Sequence, residues 1–517
     1  MRKQKRKIIL LVGAGVGCLL VVLNMWILFA VDAEWQNERV GGAQLYGAWD
    51  NGDVDLRELP SAEEVEKRVR ELFAVDSVPV VNLTTEESVT VHGVYKDMSM
   101  VVTDDKIAGN NYGKMSGKMK PRGNSTYKIG LQYGAMPFKI KLDEAVDLLG
   151  MGKSKKWCLI ANFIDRSYVK QFIMYQTAQL IMGEEYFQPK AKYVEVNLNG
   201  EYKGLYLLTE SIEEDEGRLG LEVDLEEYGE EIPFLLEMEQ KDYICEESYK
   251  ELIEDHFSSF RFFADSYEDV PTWLLDEDKE NDDCSLTPYD LKYPEAFSEM
   301  SDEQYAHIRK TMYGIYEGTK LGVPIGQVGI DANSFVNQYL FMELFANPTF
   351  VGPSVYVYQK PGSGVVTAGP LWDFDTVMFG TTEGSVQLER NTIYKYLYQY
   401  RAFRQALVSR YKEYEEKLFP AVKNAIADLR GNQVLKQAVL KAEAKYHTWT
   451  RSLDGHNGFP GPSYDIFDKT ILSLKTFEAQ VDHISGWLFD GFRGVDGDEY
   501  GGRINWMKDE LVEEWGQ

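Results

Sequence analysis

The apolar and polar positions divide the chain into an apolar start, a strand-rich region and a helix-rich region. Residues 8–31 form one apolar run with a single polar interruption, at Asn24. Residues 88–221 hold short segments rich in β-branched and aromatic residues, which are typical of strands. Residues 304–517 show apolar positions mainly at helical spacing. This order predicts an α+β fold with a small strand-rich lobe and a larger, mainly helical lobe.

Individual elements follow from the same periodicities. In residues 137–142 three apolar side chains alternate with Lys139 and Lys141, as in a strand with one buried face. Asn199-Gly200 predicts the turn of a hairpin. Other predicted strands lie at 88–95, 99–105, 117–125, 355–359 and 365–372. Predicted helices lie at about 61–74, 165–182, 302–320, 333–346, 402–429, 433–450 and 474–493.

The apolar run 8–31 predicts a membrane anchor. As a helix it is long enough to cross a hydrocarbon core of roughly 30 Å. Residues 1–7 hold five basic residues and no acid, which favours a cytoplasmic amino terminus and an extracytoplasmic remainder. A signal peptide cleaved near Val31-Asp32-Ala33 is the alternative, although its apolar core is usually only about 7–15 residues long. We therefore expect a single-pass cell-membrane protein that contacts the lipid bilayer through residues 8–31.

Charge is distributed unevenly along the chain. The chain has 55 Lys and Arg against 83 Asp and Glu, a net charge of −28, and residues 222–303 alone hold 28 acids and 5 basic residues. So acidic a chain lacks the basic surface that nucleic-acid phosphates require, and we expect no nucleic-acid partner. The predicted organisation is a basic tail (1–7), an anchor (8–31), a stalk (32–87), a small lobe (88–221), an acidic insert (222–303) and a larger lobe (304–517).

The cysteines exclude a disulfide scaffold, because only Cys158, Cys245 and Cys284 follow the anchor. Cys158 lies in an apolar run and is predicted to be a buried thiol. Cys245 and Cys284 bracket much of the acidic segment, and sequence alone leaves open whether they pair.

Residues 369–375 carry the strongest chemical signal. Asp373 and Asp375 follow an extended run, and alternation puts both carboxylates on one side of a strand end. There they could share a divalent cation. The alternative is that one of them caps the next turn.

The turn at residues 122–126 is a weaker signal. It holds an arginine, a glycine and three small polar residues, and such a turn can bring backbone N–H groups and a cation to a phosphate. A plain hairpin turn is the alternative. Zinc and serine-hydrolase chemistry have no support, because the histidines are scattered and no GxSxG motif is present.

Together these segments resemble the CotH family, atypical protein kinases of the spore-coat-protein-H type. The matching segments, in the family's order, are 122–126, 137–144, 148–167, 194–213, 369–380 and 481–493. The resemblance covers roughly residues 88–495. It implies a bilobal, protein-kinase-like fold that binds ATP with Mg²⁺ or Mn²⁺ and phosphorylates protein side chains. Envelope or spore-coat proteins are the implied substrates or partners.

The resemblance also implies roles for single residues. Asp373 is the expected catalytic residue, and Asp373 and Asp375 are the expected metal ligands. Lys141 matches the family's lysine that contacts ATP phosphates, with Lys139 as its substitute. Glu210 ends the strand that leads toward the adenine. The full set expected to bind ATP is Arg122, Gly123, Asn124, Ser125, Lys139, Lys141 and Glu210.

The catalytic loop departs from the family pattern. Thr349 stands where the family has its catalytic-loop Asp, and Ser354 where it has an Asn on the metal side. A threonine neither accepts a substrate proton near neutral pH nor holds a metal as a carboxylate does. Three interpretations therefore remain: a kinase with an altered loop, a pseudokinase that binds nucleotide or a partner without turnover, and a cell-surface binding or assembly protein that keeps only the fold.

Overall fold

A computed structural model of the protein describes residues 52–123, 125–162, 165–238, 289–294, 300–346, 354–374, 392–449, 474–493 and 499–509. The strands are β1 Val80–Thr84, β2 Lys96–Thr103, β3 Tyr112–Pro121, β4 Phe138–Asp147, β5 Lys153–Ala161, β6 Ala191–Leu198, β7 Glu201–Glu210, β8 Phe234–Met238, β9 Tyr289–Tyr293, β10 Val355–Gln359, β11 Thr367–Ala368, β12 Phe492–Arg493 and β13 Glu499–Tyr500. The helices are α1 Ala62–Phe73, α2 Ser125–Tyr133, α3 Lys170–Met182, α4 Asp302–Leu321, α5 Ala332–Leu344, α6 Thr392–Leu397, α7 Arg401–Glu413, α8 Phe419–Gly431, α9 Gln433–Tyr446, α10 Phe477–Ser485 and α11 Arg503–Met507. Short π-helical turns follow α7 and α10. The chain therefore mixes helices and strands, as the sequence predicts.

Seven strands close into a barrel in the order β1-β2-β3-β4-β5-β7-β6. Strands β1 and β6 pair in parallel, and the other neighbours are antiparallel. Phe138, Ile140 and Leu142 of β4 are buried in the barrel core, while Lys139 is half-buried and Lys141 exposed on the other face. The alternation predicted for this strand is therefore confirmed.

A second core lies outside the barrel, among helices and a four-stranded sheet of order β11-β10-β8-β9. Every residue of α3 is buried, as expected for a helix enclosed on all sides. Helix α5 is almost as enclosed, with only Ala332 partly exposed. Among the described residues no helix is both long and apolar enough to span a membrane, and the predicted anchor at 8–31 lies outside them.

Several local predictions were wrong. The strand predicted at 365–372 is limited to the two residues of β11, Thr367–Ala368. Residues 88–95 form a loop instead of a strand, because they pack on α2: the Tyr127 hydroxyl donates to the Thr90 carbonyl at 2.8 Å. The strand predicted at 117–125 ends at Pro121, and the turn that follows leads into α2, which excludes the plain-hairpin alternative. Helix α3 begins at Lys170 instead of near 165, because the Ser167 hydroxyl accepts the Lys170 N–H at 3.2 Å and ends a preceding turn.

Part of the predicted stalk packs into the folded body. Val65, Val69 and Phe73 of α1 are buried, and α1 contacts α3 and α8. Strand β1 then closes the barrel between β2 and β6. The sequence pattern did not predict this role for residues 62–84.

The ends of the acidic segment also belong to the body. Strands β8 and β9 both lie within residues 222–303, and Met238 pairs with Tyr289. Residues 239–288, and with them Cys245 and Cys284, lie outside the described residues. Cys158 is a buried free thiol, as predicted.

Candidate functional site

The candidate site lies where the end of β3 meets the segment after β11. Arg122 directly follows β3, and its guanidinium lies over the Trp372 ring, 5.3 Å from Cζ to the ring centroid. This is the geometry of a cation–π contact. The backbone N–H of Arg122 donates to the Pro137 carbonyl at 3.1 Å, which fixes the start of the turn. The structure thus brings Arg122 beside the segment that carries Asp373.

Asp373 is held in an unusual backbone conformation. Its φ is 67°, in the left-handed region that few residues other than glycine adopt. The residues on both sides are fixed in the core: Trp372 and Phe374 each pack edge-on against Tyr175. Strained backbone of this kind occurs often where a side chain must be presented to a ligand.

Ser354, one of the two positions that depart from the family pattern, contacts Asp373 directly. The Ser354 hydroxyl donates to Oδ2 of Asp373 at 3.3 Å. The φ of Ser354 is 76°, so both ends of this hydrogen bond have left-handed backbone. The hairpin β10–β11 therefore presents a hydroxyl and a carboxylate together.

Arg122 keeps its charge in this environment. Burial lowers the pKa of Arg122, but nearby groups, Cys158 first and then Tyr175, Asp373 and Tyr356, outweigh burial, so its pKa lies above the ordinary value. A guanidinium offers five N–H donors in a fixed plane and suits phosphate oxygens. Arg122 is thus a permanent cation available to an anionic ligand.

The turn after Arg122 fits an anion as well. Gly123 has φ +77°, and a Cβ there would lie 2.3 Å from Oγ1 of Thr126, so only glycine fits. Helix α2 begins two residues later, and its first N–H groups and dipole favour a negative charge. Asn124 lies outside the described residues, as does the side chain of Ser125.

The two predicted ATP-binding lysines of β4 differ in their surroundings. Nζ of Lys139 lies 2.7 Å from Oε1 of Glu213, and Lys156 reaches the same carboxylate at 2.9 Å. Burial lowers the pKa of Lys139, but Glu213 more than compensates and the pKa is raised. Lys139 comes two residues after Pro137, whose carbonyl accepts the Arg122 N–H, and Lys141 lies exposed two residues further along the same face.

Glu210 is engaged inside the protein. Its Oε1 lies 2.7 Å from Nη1 of Arg218, and both side chains are at most 3% exposed. Its Oε2 accepts the Lys190 N–H at 2.8 Å. Burial raises the pKa of Glu210 to about 7, against the opposing effect of Arg218. Both carboxylate oxygens thus have protein partners, and a contact of Glu210 with adenine remains a prediction.

The family described as CotH kinase protein matches residues 119–488, well over half of the chain. The chain belongs to the CotH family. This confirms the resemblance that the motifs carry, and the match includes Arg122, Lys139 and Asp373. A search of curated proteins found no match.

The CotH-family site also contains residues that sequence reasoning missed. Tyr356 of β10 is the direct cross-strand partner of Glu237 of β8, and burial, followed by the Glu237 carboxylate, raises the pKa of the Tyr356 hydroxyl. Nζ of Lys292 lies 2.9 Å from Oε2 of the same carboxylate. No motif marks these positions, because the three residues come from strands far apart in sequence.

Several expected site residues lie outside the described part of the chain, namely Asn124, Thr349 and Asp375. Within the described part, no group of three or more His, Cys, Asp or Glu side chains could hold a metal ion. The pairing of Asp373 with Asp375 around a cation therefore remains a prediction.

Proposed function

We propose that this CotH-family protein binds ATP with Mg²⁺ or Mn²⁺ in a kinase-like, two-lobed arrangement and transfers phosphate to envelope or spore-coat proteins. We further propose that residues 8–31 anchor it in the cell membrane with the remainder extracytoplasmic. The observation that carries the proposal is the contact of Arg122 with Trp372 beside Asp373, which joins the barrel to the β10–β11 hairpin.

In this proposal, different residues near the contact supply the hydrogen-bond donors, the positive charge and the metal ligands for the phosphates. Arg122 donates to phosphate oxygens, and the N-terminus of α2 offers backbone N–H groups after Gly123. Lys139 adds a second positive charge, held in position by Glu213. Asp373 and Asp375 are the residues that would hold the metal ion, which when bound neutralises charge on the phosphates. In phosphoryl transfer most of the catalysis is positioning and electrostatics of this kind.

A titration of the full chain in detergent with ATP and Mg²⁺ or Mn²⁺ tests the binding. We expect saturable binding, and a loss of at least about tenfold in affinity for Arg122→Met, because hydrogen bonds to charged groups contribute about 1.5–3 kcal/mol. Arg430→Met is the matched control, since Arg430 forms an exposed surface pair with Asp482. Absence of any thermal shift with ATP and metal would leave the cell-surface binding or assembly function as the remaining interpretation.

Transfer is tested separately from binding, by incorporation of radiolabelled phosphate. We expect incorporation by the wild type and its loss in Asp373→Ala, because this variant removes the carboxylate assigned to the metal. Equal incorporation by both proteins excludes a transfer reaction that depends on Asp373.

A pseudokinase is the second candidate, favoured by Thr349 in place of the family's Asp. If it is correct, the wild type binds ATP without incorporation, and Thr349→Asp gains incorporation. Robust transfer by the wild type shows instead that Thr349 does not replace an essential base.

A further inference from the structure

We propose that a cavity at one end of the barrel binds an extended segment of a partner protein, with an apolar side chain inside the cavity and basic side chains at its mouth. The cavity has a volume of about 460 Å³, which is within the range of ligand-binding cavities. One of its walls, residues 85–90, precedes the family match. Use of this barrel-mouth cavity to dock a substrate rests on the proposed function, whereas binding of the segment does not.

Three connections between strands build the barrel-mouth cavity. They are the β1–β2 loop at 85–95, the β3–β4 connection at 122–137, which contains α2, and the β6–β7 turn at 199–200. Strands β1, β3 and β6 run in the same direction, so the three connections that follow them lie at the same end of the barrel. Arg122 directly follows β3, and the cavity and the candidate site therefore share this end.

The floor of the cavity is apolar and belongs to the barrel core. Val89, Met136 and Phe138 are at most 9% exposed and are members of that core. Leu198 packs against it. A floor of this kind binds a ligand through apolar surface, at about 25 cal/mol for each Å² removed from water.

Hydrogen bonds fix the walls of the cavity. Oδ1 of Asn199 accepts the Thr85 N–H at 2.9 Å, which ties the β6–β7 turn to the β1–β2 loop. The Tyr206 hydroxyl donates to the Met136 carbonyl at 3.0 Å, which ties the β3–β4 connection to β7. The cavity is therefore preformed, and a ligand that enters it does not have to order the walls first.

Apolar side chains are also exposed at the mouth of the cavity. Leu131 of α2 lines the cavity and is 47% exposed, and Val91, which directly follows the lining residue Thr90, is 57% exposed. Three of the six large apolar side chains that are exposed in the described part of the chain lie on these connections, namely Val91, Val94 and Leu131. Exposed apolar side chains around a concave surface are typical of a site that contacts another molecule.

The charged residues at the mouth favour a basic partner. Glu86 and Glu87 both line the cavity and are exposed. Glu87 pairs with Lys96, but Glu86 forms no ion pair with another residue in the described part of the chain. The lysine that lines the cavity, Lys203, is itself paired, because its Nζ lies 2.8 Å from Oε2 of Glu201. An unpaired carboxylate is thus available at the mouth for a cation of the ligand.

An extended peptide fits the apolar floor and the acidic mouth together. Successive side chains of an extended segment point to opposite sides. When one apolar side chain enters the cavity, its neighbours therefore point back toward the mouth, where a lysine or arginine meets Glu86. Along α2, Leu131 lies about 9 Å from Ser125, since a helix rises about 1.5 Å per residue. Roughly three further residues of an extended segment span this distance and reach the turn at Arg122.

Fluorescence anisotropy of labelled peptides, with neither ATP nor metal present, tests the site on the full chain in detergent. The probe is a pentapeptide of sequence Gly-Arg-Leu-Arg-Gly with blocked ends. Two comparison peptides replace its leucine by serine or both of its arginines by glutamate. We expect saturable binding of the probe and at least about fivefold weaker binding of both comparison peptides, because each lacks one of the two complementary features. Binding of the probe should weaken as salt is added.

Two substitutions on different connections test whether the peptide binds at the cavity. We expect Leu131→Ala to weaken binding by about fivefold through lost apolar contact. We expect Glu86→Gln to weaken it by about two- to fivefold, as for an exposed charge pair. Leu321→Ala and Glu71→Gln are the matched controls, since both residues are exposed and neither lines the cavity, and they should bind the probe like wild type. Melting temperatures close to wild type show that the variants are folded.

Each of the other outcomes overturns the proposal or leaves it standing. Absence of saturable binding of the probe, or wild-type affinity in either Leu131→Ala or Glu86→Gln, overturns the docking site. Equal affinity for the glutamate peptide overturns the assignment of a basic partner. Self-association of the wild type in sedimentation that is lost in Leu131→Ala assigns the cavity to a second copy of the chain, and this also overturns the proposal. Failure of the wild type to bind ATP refutes the proposed function alone, because the peptide is measured without ATP.

Discussion

The proposed role of Arg122 depends on the residues around its guanidinium. The sequence placed it in a turn with a possible phosphate role, and the structure places it over Trp372 and near Asp373. A lysine would not substitute well, because a planar guanidinium can stack on the ring and still direct donors to a ligand. The contact with Trp372 thus requires an arginine at position 122.

Glu210 makes folding stability depend on pH. Burial raises its pKa from the ordinary 4.5 to about 7. Between these values the folded protein holds a proton that the unfolded chain releases. The contribution of Glu210 to the free energy of unfolding is therefore fully present below pH 4.5 and is lost as the pH rises through 7. Since one pKa unit corresponds to about 1.4 kcal/mol, the loss is about 3 kcal/mol.

Urea unfolding of wild type and Glu210→Gln at several values from pH 5 to 8 measures this effect. We expect the free energy of unfolding of the wild type to fall relative to that of the variant as pH rises, because the variant cannot titrate. Parallel pH profiles for the two proteins contradict the assignment.

Helix α5 is held at both ends by arginines from outside the family match. At its start, Nη2 of Arg57 lies 3.3 Å from the capping Asp331 carboxylate. At its end, Arg503 donates to the Glu343 carbonyl at 2.8 Å, which suits a cation at a helix C-terminus. Helix α5 in turn supports β11, since the Ala368 N–H donates to the Ser334 hydroxyl at 2.9 Å. Residues outside 119–488 therefore help to hold the hairpin that carries the site.

Because of its contact with Glu343, we expect substitution of Arg503 to lower the free energy of unfolding strongly. Arg503 and Glu343 form an ion pair whose side chains are both 0% exposed. Arg503→Met removes one member of this buried ion pair, a change that typically costs about 3–5 kcal/mol of the free energy of unfolding. Urea unfolding measures the loss, and adding Glu343→Gln should recover part of it. The exposed Arg430→Met serves as control and should unfold much like wild type. A urea unfolding curve for Arg503→Met that coincides with that of the wild type contradicts the prediction.

At the scale of the whole molecule, the folded body is larger than the family match. The barrel needs β1, and α1 packs against both α3 and α8, although both elements precede residue 119. The side chain of Asn432 also donates to the Val75 carbonyl at 3.0 Å. The chain after residue 52 is thus tied to the body before the family match begins.

Two deletions separate anchoring from folding. Removing residues 1–51 should move the protein from the membrane fraction to the soluble fraction with its melting temperature unchanged. Removing residues 1–75 should destabilise it strongly, because Val65, Val69 and Phe73 each lose burial worth about 2 kcal/mol. Carbonate extraction and thermal melting measure the two effects.

If carbonate treatment releases the full-length protein from membranes, the result contradicts the predicted anchor at residues 8–31. A chain lacking residues 1–75 that melts like the one lacking residues 1–51 contradicts the structural role of α1. Each outcome bears on one claim and leaves the other standing.

The sequence by itself determined the features that depend on near neighbours along the chain. The alternation in 137–142, the hairpin at Asn199-Gly200, the buried thiol of Cys158 and the mixed class all follow from local periodicity and composition. The motifs, which occur in the family's order, also identified the family, because each is a short run of sequence that can be recognised without knowing the fold.

Tertiary structure alone decided which distant segments meet. The closure of the barrel by β1, the pairing of Glu237 with Tyr356 and the contact of Arg122 with Trp372 join residues 100 or more positions apart. It also tied Lys139 instead of Lys141 to Glu213, although both share one face of β4. Periodicity assigns a side chain to a face, but its partner there depends on strand order and register, which leave no local trace in the sequence.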